Sequence, residues 1–141
     1  MRVVLDTNVI ISRYLTPLGR VARIIGLWEQ DAFDLVVSDV ILDEYARVLR
    51  YPRLRSVHHL TEGQLDEIGL ALRSFAEIVT PTETPAVVAD DPDDDYFLAC
   101  AVTGQADCLV TGDPHLLRLG NYETIPILSP ADFLGRFFPD A

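Results

Sequence analysis

Four acidic residues stand where short apolar runs end or where helices begin. Asp6 closes the run Arg2–Leu5, and Asp113 follows Cys108–Thr111 after one glycine. Glu44 lies in the first turns of the helix expected after Asp34–Val37, and Asp95 opens the helix expected over Tyr96–Val102. If the runs are parallel strands, all four acids map to one edge of a sheet, where α/β proteins place their sites. Buried carboxylates in one place repel each other, and their pKa values rise unless a cation lies between them. Ligands that are all oxygen favour a hard divalent ion, Mg²⁺ or Mn²⁺.

Helical spacing selects among neighbouring acids. Glu44 shares a face with Ile41, Tyr45 and Val48, whereas Asp43 falls outside and can pair with Arg47 at i+4. Asp95 aligns with Leu98, Ala99 and Val102. Asp94 aligns with Leu98 and Ala101 and ranks second, as a supporting or substrate-contacting group. The rest of the acidic turn, Asp90, Asp91 and Asp93, can cap or solvate it, and Pro92 suits a helix start. Each acid also has a plainer reading. An Asp after a strand is more often a turn or helix cap than a ligand, and Asp113 before Pro114 would alone be read as a cap. Four acids on one edge shift the balance, because caps need not gather.

Period-2 and apolar runs alternate with helical spacing along the chain. Helical segments are expected over Val9–Leu15, Val21–Trp28, the stretch capped by Ser38, the stretch behind Thr61, Tyr96–Val102, His115–Leu119 and Ser129 to Phe138. Thr61 with Gln64 reads as a capping box. Strands are expected at Arg2–Leu5, Asp34–Val37, Glu77–Thr80, Cys108–Thr111 and Ile125–Leu128. Tyr51-Pro52 ends one helix and Gly104 another. The pattern predicts an α/β fold: a three-layer α/β/α sandwich with a central, mainly parallel sheet, in a single domain over residues 1–141.

The 141 residues carry 22 acids and 11 bases, a formal net charge of −11. Every base is arginine. Without lysine there can be no Schiff-base amine, no P-loop lysine and no receiver-domain lysine. The balance also argues against broad, charge-driven nucleic-acid binding. Cys100 and Cys108 form no metal or redox motif and are expected to be buried, reduced thiols. No apolar run is long enough to span a membrane, so a cytoplasmic protein with no membrane partner is expected. Trp28, Tyr45, Phe75, Phe97 and Phe133 read as core, His58-His59 as surface, and Phe137-Phe138 as an exposed pair hinting at an interface.

In order along the chain, Val4-Leu5-Asp6-Thr7-Asn8-Val9, Ser38 with Glu44, Asp94-Asp95-Tyr96-Phe97-Leu98-Ala99-Cys100-Ala101, and Leu109-Val110-Thr111-Gly112-Asp113 resemble the motifs of PIN-domain ribonucleases. The closing Ile127-Leu128-Ser129-Pro130 with Phe133-Leu134 resembles the family's last strand and helix. The nearest subgroup is the VapC-like toxins of prokaryotic toxin–antitoxin systems. This resemblance implies that Asp6, Glu44, Asp95 and Asp113 hold one or two Mg²⁺ or Mn²⁺ ions. Asn8 would support Asp6, while Ser38 and Thr111 would orient ligands or contact the scissile phosphate. It further implies endonucleolytic cutting of single-stranded RNA, a cognate antitoxin whose arginine competes for the carboxylates, and a homodimer.

Arg13, Arg20 and Arg23, with Arg47, Arg50, Arg53 and Arg55, are candidates to guide an RNA backbone past the acids. The alternative is a PIN-like protein that binds a partner and cuts little or nothing. A haloacid-dehalogenase-type phosphatase ranks lower, since Asn8 stands where that motif needs a second Asp and its lysine is missing.

Overall fold

The computed structural model describes residues 1–16, 18–86 and 94–139. The Asp90, Asp91 and Asp93 readings, and Pro92 as a helix start, lie outside that set.

The apolar runs Arg2–Leu5 (β1), Asp34–Val37 (β2) and Cys108–Val110 (β4) form the centre of the sheet. Val3, Val4, Leu5, Leu35, Val36, Val37, Cys108, Leu109 and Val110 are all fully buried. Near-continuous apolar strands of this kind are what a parallel sheet covered by helices requires. Each such side chain contributes about 1.5–3 kcal/mol by leaving water. Two short edge strands, Glu77–Ile78 (β3) and Asn121–Tyr122 (β5), and Ile125–Leu128 (β6) complete the six-stranded sheet, in the order β3-β2-β1-β4-β6-β5. All neighbours pair in parallel except β5, which runs antiparallel to β6. The mainly parallel sheet flanked by helices agrees with the α/β expectation.

The helices are Thr7–Leu15 (α1), Arg20–Glu29 (α2), Asp39–Leu49 (α3), Pro52–His58 (α4), Glu62–Phe75 (α5), Asp94–Thr103 (α6), Pro114–Leu117 (α7) and Pro130–Phe137 (α8). Their starts follow local chemistry. Ser38, Thr61 and Ser129 cap α3, α5 and α8, and Thr61 with Gln64 forms the expected capping box. Tyr51-Pro52 ends α3, yet Pro52 is also the first residue of α4, a helix the periodicity does not reveal. Gly104 follows α6 because β2 leaves no room: a Cβ there would lie 2.5 Å from Val36 Cγ1.

Several side chains differ from expectation. Phe137 and Phe138 are half-buried, not exposed, because both rings lie 5.7 Å from Phe133, and Phe138 also meets Phe33. Phe75, expected in the core, is 78% exposed. It is the last residue of α5, where the stripe begun by Leu65 and Leu72 runs past the interior. His59 is exposed as expected, but His58 is half-buried and hydrogen-bonded at both ring nitrogens. Its Nδ1 accepts from the Leu60 N–H, so its Nε2 carries the proton and donates to the Leu49 carbonyl at 2.8 Å, tying α4 to the end of α3. Cys100 and Cys108 are buried free thiols, and burial pushes both up to about 12.

Candidate functional site

From β1 the chain returns to β2 and β3 on one side, and from β4 to β6 on the other. The gap between β1 and β4 is therefore the topological switch point of the sheet, where ligands of open α/β folds bind. The register Val3↔Cys108, Val4↔Leu109, Leu5↔Val110 brings Asp6 and Thr111 side by side just past the strand ends. The Asp6 N–H donates to the Val110 carbonyl at 2.9 Å, and the Thr111 hydroxyl donates to Asp6 Oδ2 at 2.6 Å.

Asp6 also caps α1, its Oδ1 accepting from the Thr7 N–H at 2.7 Å. Asp113 caps α7, its Oδ1 accepting from the His115 N–H at 2.9 Å, while its own N–H donates to Thr111 Oγ1. Cap and site are thus not alternatives here, because a carboxylate has a second oxygen to offer.

Asp6, Asp94 and Asp113 each present an oxygen within 4.8 Å of the others. The group contains Asp94, not Asp95. The preference for Asp95 rested on amphipathic phase, which α6 follows poorly: five consecutive residues, Phe97 to Ala101, are buried, while Val102, on the face assigned to Asp95, is exposed. Asp95 is buried as well, at 6% exposure, but is not among the described residues lining the cavity in front of the carboxylates. That cavity has a volume of about 490 Å³. Asn8 lines it and is exposed.

Glu44 lines the same cavity from α3, where Asp43 faces solvent, as its helical face requires. It is held by the Thr7 hydroxyl, which donates to Glu44 Oε2. Arg47 Nη2 stands 3.7 Å from Glu44 Oε1. Thr7 escaped the sequence reading, although as the residue after a capping Asp it had to face the same edge. Ser38 does not join the group. It is buried, caps α3 by accepting from the Ile41 N–H at 3.3 Å, and is not among the described residues lining the cavity.

The electrostatics follow the packing. Burial pushes Asp6 up to about 6, against the hydrogen bonds from Thr111 and Thr7, and the nearby Asp113 and Glu44 charges add to the rise. Burial also raises Asp113, but the hydrogen bond shared with the Asp94 carboxyl and the one from His115 outweigh it and leave Asp113 below the usual range. Tyr45, fully buried behind the site, donates to the Leu5 carbonyl; burial first and the Asp6 charge second push its phenol well above its ordinary value. An all-oxygen donor set gathered at one cavity, with Asp6 raised by burial and by its acidic neighbours, fits a hard divalent cation.

Of the candidate guiding arginines, Arg47 and Arg53 reach the cavity. Arg50 is engaged by Glu62 and Asp66, Arg55 by Glu62, and Arg13 by Glu29 at 3.4 Å. Arg23 donates to the Phe138 carbonyl at 2.9 Å. Arg20 lines a separate depression beside Ser129 and Pro130.

Residues 2–115 match the family model described as the PIN domain. The chain belongs to the PIN-domain family. This PIN domain is also 32% identical over 145 residues to an uncharacterized protein of Methanocaldococcus jannaschii, covering 97% of the chain and 92% of that protein. Among solved structures it resembles a chain of the VapBC-1 structure from nontypeable Haemophilus influenzae (TM-score 0.61, 16% identity), covering 93% of this PIN domain and 99% of that chain. A chain of Rickettsia felis VapBC2, solved bound to a DNA fragment from the promoter, is similar at TM-score 0.59 and 14% identity, over 92% of this PIN domain and 98% of that chain. A chain of FitAcB from Neisseria gonorrhoeae follows at TM-score 0.53 and 20% identity, with 92% and 98% covered. At these identities the likeness concerns the fold. Among the described residues, no helix is long and apolar enough to cross a membrane.

Proposed function

We propose that this PIN domain is a divalent-metal-dependent endoribonuclease that cuts single-stranded RNA as the toxin of a toxin–antitoxin pair. The observation that carries the reading is the convergence of Asp6, Asp94 and Asp113 within 4.8 Å at the switch point of the sheet. These three carboxylates would hold Mg²⁺ or Mn²⁺, with Glu44 as a fourth acid lining the same cavity. Asp95 is not assigned a ligand role. A divalent ion supplies Lewis acidity at phosphorus and an acidified water.

The chain's own residues do the positioning. Thr111 orients Asp6 and the Asp113 backbone through one hydroxyl, and Thr7 holds Glu44, so the donors stand preorganised. Arg47 and Arg53 bring positive charge to a cavity otherwise dominated by acids and draw the phosphate backbone towards them. A net charge of −11 keeps nonspecific binding to nucleic acid weak, so attraction is confined to this rim.

The similar VapBC and FitAcB structures support an antitoxin partner, whose arginine would occupy the carboxylates in place of the cation. The chain is read as one domain acting in the cytoplasm, with a second copy as a homodimer partner.

The test is cleavage of a mixed single-stranded RNA with Mg²⁺, Mn²⁺ or EDTA, by the wild type and by Asp6→Asn. Cutting that needs metal and falls by a hundredfold or so in Asp6→Asn is expected. A folded wild type that cuts nothing with any metal would overturn the reading and favour a partner-binding role.

A further inference from the structure

The connection between α3 and α4 carries a side chain whose position its own fold does not explain. Tyr51 is 41% exposed, although it is large and partly apolar, and it lines the carboxylate cavity. Its backbone is fastened at both ends. The Tyr51 N–H donates to the Val48 carbonyl at 3.0 Å, and its carbonyl accepts from the Leu54 and Arg55 N–H groups at 2.9 and 3.0 Å. Pro52 follows at the first position of α4, which stiffens the turn further. The ring is thus presented to the cavity from a rigid base.

Arg53 stands two residues on, exposed and lining the same cavity. Among the described residues its guanidinium has no carboxylate within ion-pair distance, in contrast to Arg50 and Arg55, which bind α5 through Glu62. A single cavity is therefore lined by carboxylates, by an exposed aromatic side chain and by an arginine. A nucleotide of a single strand carries both a phosphate and an open base face, the two chemistries these side chains recognise.

We propose that Tyr51 is a stacking platform for the unpaired base next to the scissile phosphate, and that Arg53 grips a flanking phosphate, so that the α3–α4 connection contributes to substrate position and base preference. This rests on the nuclease reading above. Only a single strand can present a base face to such a ring, because bases in a duplex are already stacked. Stacking of one base on an aromatic side chain is worth roughly 5- to 150-fold in affinity. The competing account is that the ring merely covers the neighbouring apolar side chains Ile11, Leu15 and Leu54 of the cavity wall.

Fluorescence anisotropy with a labelled, mixed single-stranded RNA decides between them, in an Asp6→Asn background so that the RNA survives. Tyr51→Ala is expected to weaken binding about tenfold, and Tyr51→Phe to restore most of that loss. An abasic residue scanned along the RNA should, at one position, weaken binding to the Tyr51 protein by a similar factor and leave Tyr51→Ala unaffected. Arg53→Met should reduce the salt dependence by about 0.7 of a log–log slope, the value of one phosphate contact on a single strand. With Asp6 intact, Tyr51→Ala should raise KM and change kcat far less.

Equal affinity for Tyr51→Ala, a Tyr51→Phe variant no better than alanine, or an abasic scan with no position coupled to Tyr51 would each overturn the proposal. If the chain with Asp6 intact cuts RNA normally and Tyr51→Ala changes nothing, this inference alone falls. If that chain neither binds nor cuts RNA, the nuclease reading falls with it.

Discussion

At the amino-terminal edge of the central strands, Arg2 reaches three partners. Its side chain pairs with Glu77 and donates to the Gly104 carbonyl, while its N–H donates to Asp107 Oδ2 at 2.7 Å. At the carboxyl edge of the same strands, Asp6, Asp94 and Asp113 approach each other, and Arg47 stands 3.7 Å from Glu44. One edge matches each charge with an opposite one and joins β1 to β3 and to the end of α6. The other gathers carboxyl groups, and burial makes it costly for Asp6 to ionise among them. A fold can hold such a cluster only because the rest of the sheet is well packed, and the acidic edge is where a cation would return the most free energy.

The sharpest way to break this contrast is to remove acids singly from the carboxyl edge. Asp94→Asn should reduce metal-dependent RNA cleavage on the order of a hundredfold, and Asp95→Asn by less than about tenfold. The reverse order in steady-state kinetics would restore the ranking that helical phase suggested.

Next in size is the titration of the cluster itself. Asp6 sits at about 6 in the fold against an ordinary 3.8, a raised carboxyl. Its contribution to stability is fully present below about pH 4 and is lost as pH rises through about 6. Without divalent ions, Asp6→Asn should therefore be more stable than the wild type at pH 7, by an amount on the order of 3 kcal/mol, and the gap should close towards pH 4. Denaturant titrations of both proteins at the two pH values measure it. Mn²⁺ at pH 7 should raise the melting temperature of the wild type and have little effect on Asp6→Asn.

A smaller effect is expected for Thr111→Val, which keeps the shape and removes the hydroxyl shared by Asp6 and the Asp113 N–H. Metal affinity measured by calorimetry should fall about tenfold. The smallest expected effect on activity is at the opposite edge. Arg2→Met should cost about 1–2 kcal/mol of stability and leave kcat for RNA cleavage unchanged, since its partners are structural. Loss of cleavage without loss of stability would show that the two edges are not independent.

Much of this contrast was legible in the residues. The acids at Asp6 and Asp113 follow apolar strands directly, and strand ends in a parallel sheet share an edge, so their proximity needed only the order of elements. Glu44 was separable from Asp43 because α3 has one apolar stripe, with Ile41, Tyr45 and Leu49 buried. Asp94 was not separable from Asp95, because α6 is apolar nearly all round and both acids are buried, so apolar type marks no single stripe. The same loss of signal explains Phe75 and the Phe137-Phe138 pair: apolar type does not say where the core stops.

Sequence by itself determined every strand but the short edge strand β5, most of the helix caps, the family and the edge on which the acids meet, because these depend on local propensity and on short-range order. Only the tertiary structure decided which aspartate of the pair at 94 and 95 turns to Asp6, which arginines are taken by α5 and which reach the cavity, and that His58 is a strut. Those outcomes depend on the rotation and seating of whole helices, which are set by contacts between residues far apart in the chain.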